Sequence, residues 1–557
     1  MTEFSKLAYT LDAIAATTKR NEKIEIISSF LRELNLNEVH FGTLALAGRV
    51  FSESDQRTTN TSWAGIISAL KRVIAFEDHE IGEFYKGDAG EAIESMMLSG
   101  RFSRQQSLLT EPLTLNSVSS AIKQIAEAEG KGSKTTRESI LVRILQDATP
   151  KELRYVVALI LGDTRTGVSD AIVADGVSKA YAIDAELIRR AWSVTGDLGK
   201  VAEIAASQGE PGIKDIRMEL YTPVKPMLAT PSDSIEDVVG DFKEIYLCEF
   251  KYDGARVQIH KGTDGVKIFS RRLQDVTQSM PDIVKLIEEK IAANTAILDG
   301  EIVAVDSQGS PYPFQIVMKR FGRSTDVDAA VEEIQLRLHL FDVLLLDNSS
   351  LLDQPLEHRR RILEGISPSE LIAEQFDFRD LRKIEEAFHD SKRLGHEGVM
   401  LKKANSPYYP GKRGRYWFKV KHTMETLDLV VIAAEWGHGR RRNWLSDYHL
   451  AAWDEDRGEF VMIGKTYKGL TDKELSEMTH RLQEISTQSS RGIVFVKPEI
   501  VVEVVAAELQ KSSTYDAGIA LRFARISRIR EDLGPSDATT LKRLNEIYES
   551  QFEYKAR

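Results

Sequence analysis

One cysteine, Cys248, stands among 557 residues. A disulfide framework is thereby excluded, as is any zinc site built from several thiolates. Long apolar runs are also missing. Stretches such as YVVALIL and LHLFDVLLL fall far short of the ~20 residues a membrane-spanning helix needs. The opening MTEFSKLAYTLD has no basic-then-apolar leader pattern, so a cytoplasmic setting is expected. Proline is scarce, 15 residues in all, and four of them crowd into residues 209–234. An excess of positive charge is lacking too, since the net charge is −11. That balance disfavours a polyanionic partner only if the charge is spread evenly, and it is not. Residues 402–421, KKANSPYYPGKRGRYWFKVK, carry seven Lys/Arg and no acid, and RFARISRIR at 522–530 carries four arginines and no acid. Aromatics interleave both runs, a pattern that favours an anionic ligand over a merely solvated face.

A chain of this length exceeds one core, so two to four domains are expected. The first 215 residues show helical periodicity in NEKIEIISSFLRELN, TSWAGIISALKRVIAFE, LNSVSSAIKQIAEAE and TTRESILVRILQDAT, the last opening on a capping box of Thr135 and Glu138. The proline-rich stretch 209–234 reads as a linker. Beyond it YLCEF, ARVQIH, VKIFS, AILDGEIVAV, LHLFDVLLLD, EGVMLKK and YWFKVK read as strands with helices between them, an α+β domain. From about residue 424, short strands joined by Gly-rich turns suggest a small barrel of the oligonucleotide-binding (OB) type, closed by a final helix. The expected fold is therefore multidomain α and α+β: a helical domain over 1–215, an α+β domain over 216–423, and an OB-fold domain over 424–557.

The segment CEFKYDGARVQIHKGTDGVKIFSRR, residues 248–272, gathers Lys251, Arg256 and Arg271 around one hairpin. Asp264-Gly265 is a hairpin turn signal. A loop over Gly262 to Gly265 pairs Lys261 with Val266 and sets Arg256 opposite Arg271. Like charges facing each other destabilise a sheet, unless an anion such as phosphate lies between them. A lysine amine, with a pKa near ~10.4, is a weak nucleophile until it loses its proton. Neighbouring cations lower that pKa, which suggests a lysine poised to attack phosphorus. On the strand ILDGEIVAV, Asp299 and Glu301 share one face and can orient a ribose hydroxyl or a magnesium ion.

KYDGAR matches the covalent-nucleotidyltransferase pattern K-x-D-G-x-R, and the segments around it resemble ATP-dependent DNA ligases of the archaeal and eukaryotic type. FSRRLQDVT, ILDGEIVAV, LFDVLLLD, EGVMLKK, GKRGRYWFKVK and LRFARISRIRED resemble the later motifs in order, so that the likeness runs from residue 223 to about 540. The resemblance implies an enzyme that seals nicks in duplex DNA in replication, repair and recombination, using ATP and a divalent cation such as Mg2+. Lys251 would attack the α-phosphate, release pyrophosphate and carry AMP to the nick. Glu249 would contact the base, Phe341 would stack on it, and Arg256 and Arg271 would hold ribose or phosphate. Arg413, Lys419 and Lys421 would surround the triphosphate, and Glu301 and Glu397 would hold the metal. The helical region fits such enzymes' DNA-binding domain, and a monomer is expected. The last motif departs from the family's R-x-D-K by placing Leu533 after Asp532. Arg522, Arg525 and Arg528 would compensate or touch DNA. RQQSLLTEP, with Gln105, Leu108 and Leu109, is a degenerate match to a sliding-clamp motif. GKGSKTT at 130–136 lacks phosphate-loop spacing and reads as an inter-helix loop.

Three other readings share parts of this pattern. NAD-dependent ligases resemble a different layout with a four-cysteine zinc site. RNA ligases and capping guanylyltransferases share the lysine motif and usually lack so large a leading helical domain. A binding scaffold with a decayed core would not be expected to keep Lys251, Glu301, Glu397 and Lys419.

Overall fold

The computed structural model describes the chain apart from residues 86–87, 103–110, 241–243, 322, 324, 377–380, 423, 438–440, 442, 491, 552–554 and 556–557. The clamp-like Gln105, Leu108 and Leu109 lie outside the described residues. The first part of the chain folds as helices from Phe4–Ala16 to Leu198–Lys214. They enclose one apolar core that runs from Phe4 to Ile213. The helix drawn from TTRESILVRILQDAT begins earlier than its capping-box signal, at Ser133 with Gly132 before it, so Thr135 lies inside the first turn and does not cap it. A working capping box opens the next helix, Pro150–Leu161, where Thr149 and Glu152 exchange side-chain-to-backbone bonds.

The expected linker is only partly a linker. The helix Leu198–Lys214 runs into it across a kink at Gly209, and a strand, Leu228–Ser232, occupies its other end. Two five-stranded sheets follow. In the first, the order is Leu228–Ser232, Arg413–Lys421, Gly398–Lys403, Tyr246–Lys251 and Gln375–Phe376. In the second it is Gly265–Ser270, Ala255–Gly262, Ala296–Val305, Gln335–Leu346 and Ser349–Ser350. Phe250, Ile297, Val303, Phe341, Leu344 and Trp417 form a core shared by both sheets. Separate cores cover the sheets with helices, Pro281–Lys290 and Leu356–Ile366 on the second and Leu381–Arg393 on the first. The strand-rich C-terminal part pairs Glu459–Thr466, Leu445–Asp454, Leu427–Trp436, Ile493–Val505 and Ser486–Ser490 in that order, with Arg525–Ile529 added to Ile493–Val505. This is the strand-rich region that the OB-type reading expects. The helix Leu541–Ser550 packs on it through buried Leu544 and Ile547.

Two arginines of the helix Leu356–Ile366 tie the two sheets together. Arg359 grips Asp342 with a two-pronged pair at 2.7 and 2.8 Å, both side chains wholly buried. Arg359 also donates to the carbonyls of Gln354 and Ser406. Arg360 donates to the carbonyl of Ala373 and lies 3.5 Å from Glu249 on the other sheet. A buried pair with its donors satisfied is tolerated, but losing one partner strands a charge in an apolar setting. Asp342→Ala is therefore expected to lower stability by about 3–5 kcal/mol in denaturant unfolding, with a similar loss for Arg359→Leu.

Candidate active site

Lys251 ends the strand Tyr246–Lys251 and faces Gly398 in the neighbouring strand. Its carbonyl accepts from the Glu397 N–H at 2.9 Å, and its amine sits 2.9 Å from the Glu397 carboxylate. Lys421, at the end of the next strand and also opposite Gly398, pairs with the same carboxylate. Gly398 makes this crowding possible. Its φ of +145° disfavours other residues, and a Cβ there would lie 2.1 Å from the Val420 carbonyl oxygen. Gly254 does the same on the other side of the lysine, where a Cβ would meet the Ile302 carbonyl at 2.4 Å.

The hairpin keeps the expected register, Lys261 opposite Val266, and closes more tightly, since Gly262 also pairs with Gly265. Its ladder ends at Val257 and Ser270, one step before the expected Arg256–Arg271 pair. Arg256 instead faces Glu301 on the other neighbouring strand, and exposed Arg271 lies beyond the hairpin. The anticipated repulsion between them is thus absent from the ladder, although both arginines border the same cleft. Arg256 is held on several sides. It forks onto Asp299 at 3.0 and 2.6 Å, donates to the Met227 carbonyl at 2.6 Å and reaches the Tyr408 hydroxyl at 3.1 Å. Asp299 is buried as the arginine's partner, while Glu301 borders the cleft.

That cleft, of about 1690 Å3, collects Glu249, Lys251, Arg256, Arg271, Glu301, Phe341, Glu397, Arg413, Lys419 and Lys421. All the residues singled out around the nucleotide come together in one place. Phe341 stands edge-on to Trp417, and Lys402 lies 4.3 Å from the Phe341 ring centre. Lys402 is one of the cleft residues to which the sequence alone assigns no role. It is buried and bonds Glu249 at 2.5 Å, so the acid expected to meet a base already has a cationic partner. Alternation along EGVMLKK held the clue, because Lys402 shares a strand face with Met400, which also borders the cleft. The basic runs are partly spent inside the protein as well. Lys412 pairs with Glu186, Arg522 with Glu508, Arg528 with Glu503, and Arg530 with Asp428 and Asp532. Leu533 packs on the apolar group of Val430, Val501 and Ala538.

The electrostatics correct one expectation. Burial alone would push the Lys251 amine down, but Glu397, Glu301 and Asp253 outweigh it and hold its pKa above the ordinary value. The amine that burial and crowding do lower is Lys419, beside Lys421, Lys251, Arg413 and Arg271. The cations cluster as the sequence suggests, but carboxylates dominate the charges acting on Lys251. Burial raises Glu301 to about 7 against the pull of Lys251 and Arg256. For Glu397, burial works upward and is overcome by Lys251 and Lys421, which bring it to about 2. Among the described residues no group of three or more His, Cys, Asp or Glu side chains forms a metal cluster. No helix among them is long and apolar enough to cross a membrane.

A lysine set between two facing sheets, ringed by carboxylates and approached by arginines and lysines, defines a nucleotidyltransferase architecture. Comparison with known proteins narrows the class. Residues 226–421 match the ATP dependent DNA ligase domain, residues 3–178 the DNA ligase N terminus, and residues 441–533 the ATP dependent DNA ligase C terminal region. A DNA ligase of Thermococcus fumicolans is 38% identical over 558 residues, covering 100% of both chains. DNA ligase 1 of Korarchaeum cryptofilum is 42% identical over 98% of each chain. The solved structure Pmar-Lig_Pre shares the fold, with a TM-score of 0.57 and 16% identity over 94% of this chain and 99% of its own. The chain belongs to the ATP-dependent DNA ligase family and is a ligase enzyme.

Gly398, next to Glu397, gives a direct test. Gly398→Ala is expected to destabilise the protein by about 1–3 kcal/mol or more in thermal unfolding. Gly365→Ala, exposed in the helix Leu356–Ile366 with open space around it, is expected to stabilise by about 0.5–1 kcal/mol.

Proposed function

We propose that this enzyme seals nicks in duplex DNA through a lysine–AMP intermediate on Lys251. The observation that carries the reading is that Lys251 lines one cleft together with Arg271, Arg413, Lys419, Phe341 and Trp417. In the first step the Lys251 Nζ lone pair attacks the α-phosphorus of ATP. A P–N bond forms, the P–O bond to pyrophosphate breaks, and pyrophosphate leaves with the electron pair. The ammonium proton must leave Nζ, and Glu301, raised to about 7, suits its acceptance better than Glu397 at about 2. The AMP then passes to a 5′-phosphate at the nick, which frees Lys251. Attack by the 3′-hydroxyl closes the phosphodiester and releases AMP.

Each side chain has a task that its surroundings suit. Phe341 offers an aromatic face for adenine. Arg256 is fixed by Asp299 and Tyr408, so it presents a rigid edge toward a ribose and spends no rotamer freedom on binding. Arg271, Arg413, Lys419 and Lys421 neutralise phosphate charge, and this kind of transfer is driven mainly by position and charge. Glu301 and Glu397, two carboxylates beside Lys251, suit a hard cation that takes few protein oxygens and completes its shell from phosphate and water. Magnesium held there would draw charge from the phosphates. We assign residues 1–215 to DNA binding, 216–423 to nucleotide transfer and 424–557 to the OB-type domain, with replication, repair and recombination as the setting.

The test incubates the protein with α-labelled ATP and magnesium. Wild type is expected to gain an acid-labile, base-stable label and to seal nicked DNA in preference to nicked RNA. Lys251→Ala is expected to gain no label, a loss of at least about 10³-fold in sealing. Equal labelling of Lys251→Ala and wild type would overturn the reading.

A further inference from the structure

The turn that follows Lys251 is held from a distant part of the chain. Asp253 is only 3% exposed. Its carboxylate bonds Nζ of Lys555 at 2.6 Å, 302 residues further on. Lys555 itself is largely covered, with 16% of its side chain exposed. Lys555 follows the helix Leu541–Ser550 in the chain. Leu544 and Ile547 root this helix in the C-terminal core, and the Gln551 side chain accepts from the Leu509 N–H at 3.0 Å. Gln551 and Lys555 both border the cleft that contains Lys251.

Asp253 is poorly placed to be a free carboxylate. Burial favours its neutral form, Lys555 opposes this, and Glu397 and Glu508 add to the effect of burial. A buried carboxylate without its cation takes a proton or shifts toward water. Either change acts on the Tyr252–Asp253–Gly254 turn. That turn is confined on its other side, where Gly254 sits under the Ile302 carbonyl and beside Glu301. The turn joins Lys251 to the strand carrying Arg256, so its position sets where the amine points.

Nothing in the nucleotide-transfer reading uses Lys555. We propose that Lys555 is a positioning residue for the adenylation of Lys251: docked on Asp253, it locks the Tyr252–Asp253–Gly254 turn so that the lysine faces the nucleotide. The C-terminal domain thereby supplies a cation to the first step from its end, while Leu533 of its last motif stays in an apolar cluster. This inference rests on the lysine–AMP reading above.

The test compares wild type, Lys555→Met and Lys555→Arg in two assays. One follows single-turnover transfer of label from ATP to the protein over a range of ATP concentrations. The other follows sealing of a nick that already carries a 5′-AMP, which bypasses the first step. Lys555→Met is expected to lower the maximal adenylation rate about tenfold, the scale of one charge-assisted hydrogen bond, with half-saturating ATP little changed. Lys555→Arg is expected to recover most of that rate, and both variants to seal the pre-adenylated nick as wild type does. An unchanged adenylation rate in Lys555→Met overturns the inference. So does an equal loss in both assays, which marks general destabilisation, or a rise in half-saturating ATP alone, which places Lys555 on the nucleotide itself. If wild type takes no label, the lysine–AMP reading fails instead.

Discussion

The ion pair between Lys251 and Glu397 holds the site's arrangement together. It exists because three backbone segments meet where a side chain would not fit. Gly398 lets the strands carrying Lys251 and Lys421 close on the residue before it, and the Lys251 carbonyl takes the Glu397 N–H. The carboxylate is left between two amines, Lys251 and Lys421. Opposite charges at this distance, away from water, fix one another more firmly than exposed pairs do. The lysine therefore has a defined direction before any nucleotide arrives.

The rest of the central region keeps that direction. Arg359 and Arg360 reach from one helix to Asp342 on one sheet and Glu249 on the other, so the walls of the cleft cannot separate freely. Arg256 is locked by Asp299, and Phe341 is backed by Trp417 and Lys402. Lys555, beyond the C-terminal helix, bonds Asp253 in the lysine's own turn. The site is thus a set of satisfied charges on a rigid frame. Such preorganisation suits phosphoryl transfer, in which positioning and charge neutralisation are the protein's main contribution.

Much of this was legible in the sequence, for local reasons. Helical periodicity placed Leu115–Glu127 and three other leading helices, because each buries one apolar stripe. The Asp264-Gly265 turn set the hairpin register through Lys261 and Val266, because tight turns constrain the strands they join. What failed was what depends on contacts between distant segments. Arg256 and Arg271 do not pair, because the second strand of the hairpin ends at Ser270 in a turn, closed by the Leu273 N–H on the Ser270 carbonyl. The expected lowering of the Lys251 pKa fell on Lys419 instead, because Glu397 and Glu301, which act on Lys251, come from other segments of the chain. Lys402 looked like part of a basic run and is buried against Glu249. Thr135 and Glu138 had the letters of a helix cap, but Gly132 at φ +91° starts that helix a turn earlier.

Carboxylates, not cations, therefore govern the proton on Lys251 before the nucleotide binds. A pH titration of the Lys251 amine in the nucleotide-free protein, by nitrogen-detected NMR with Lys251→Arg to assign the signal, puts this to the sharpest test. The expected outcome is an apparent pKa above that of an ordinary lysine. A pKa below the ordinary value would refute the carboxylate control and restore the cation-crowding explanation.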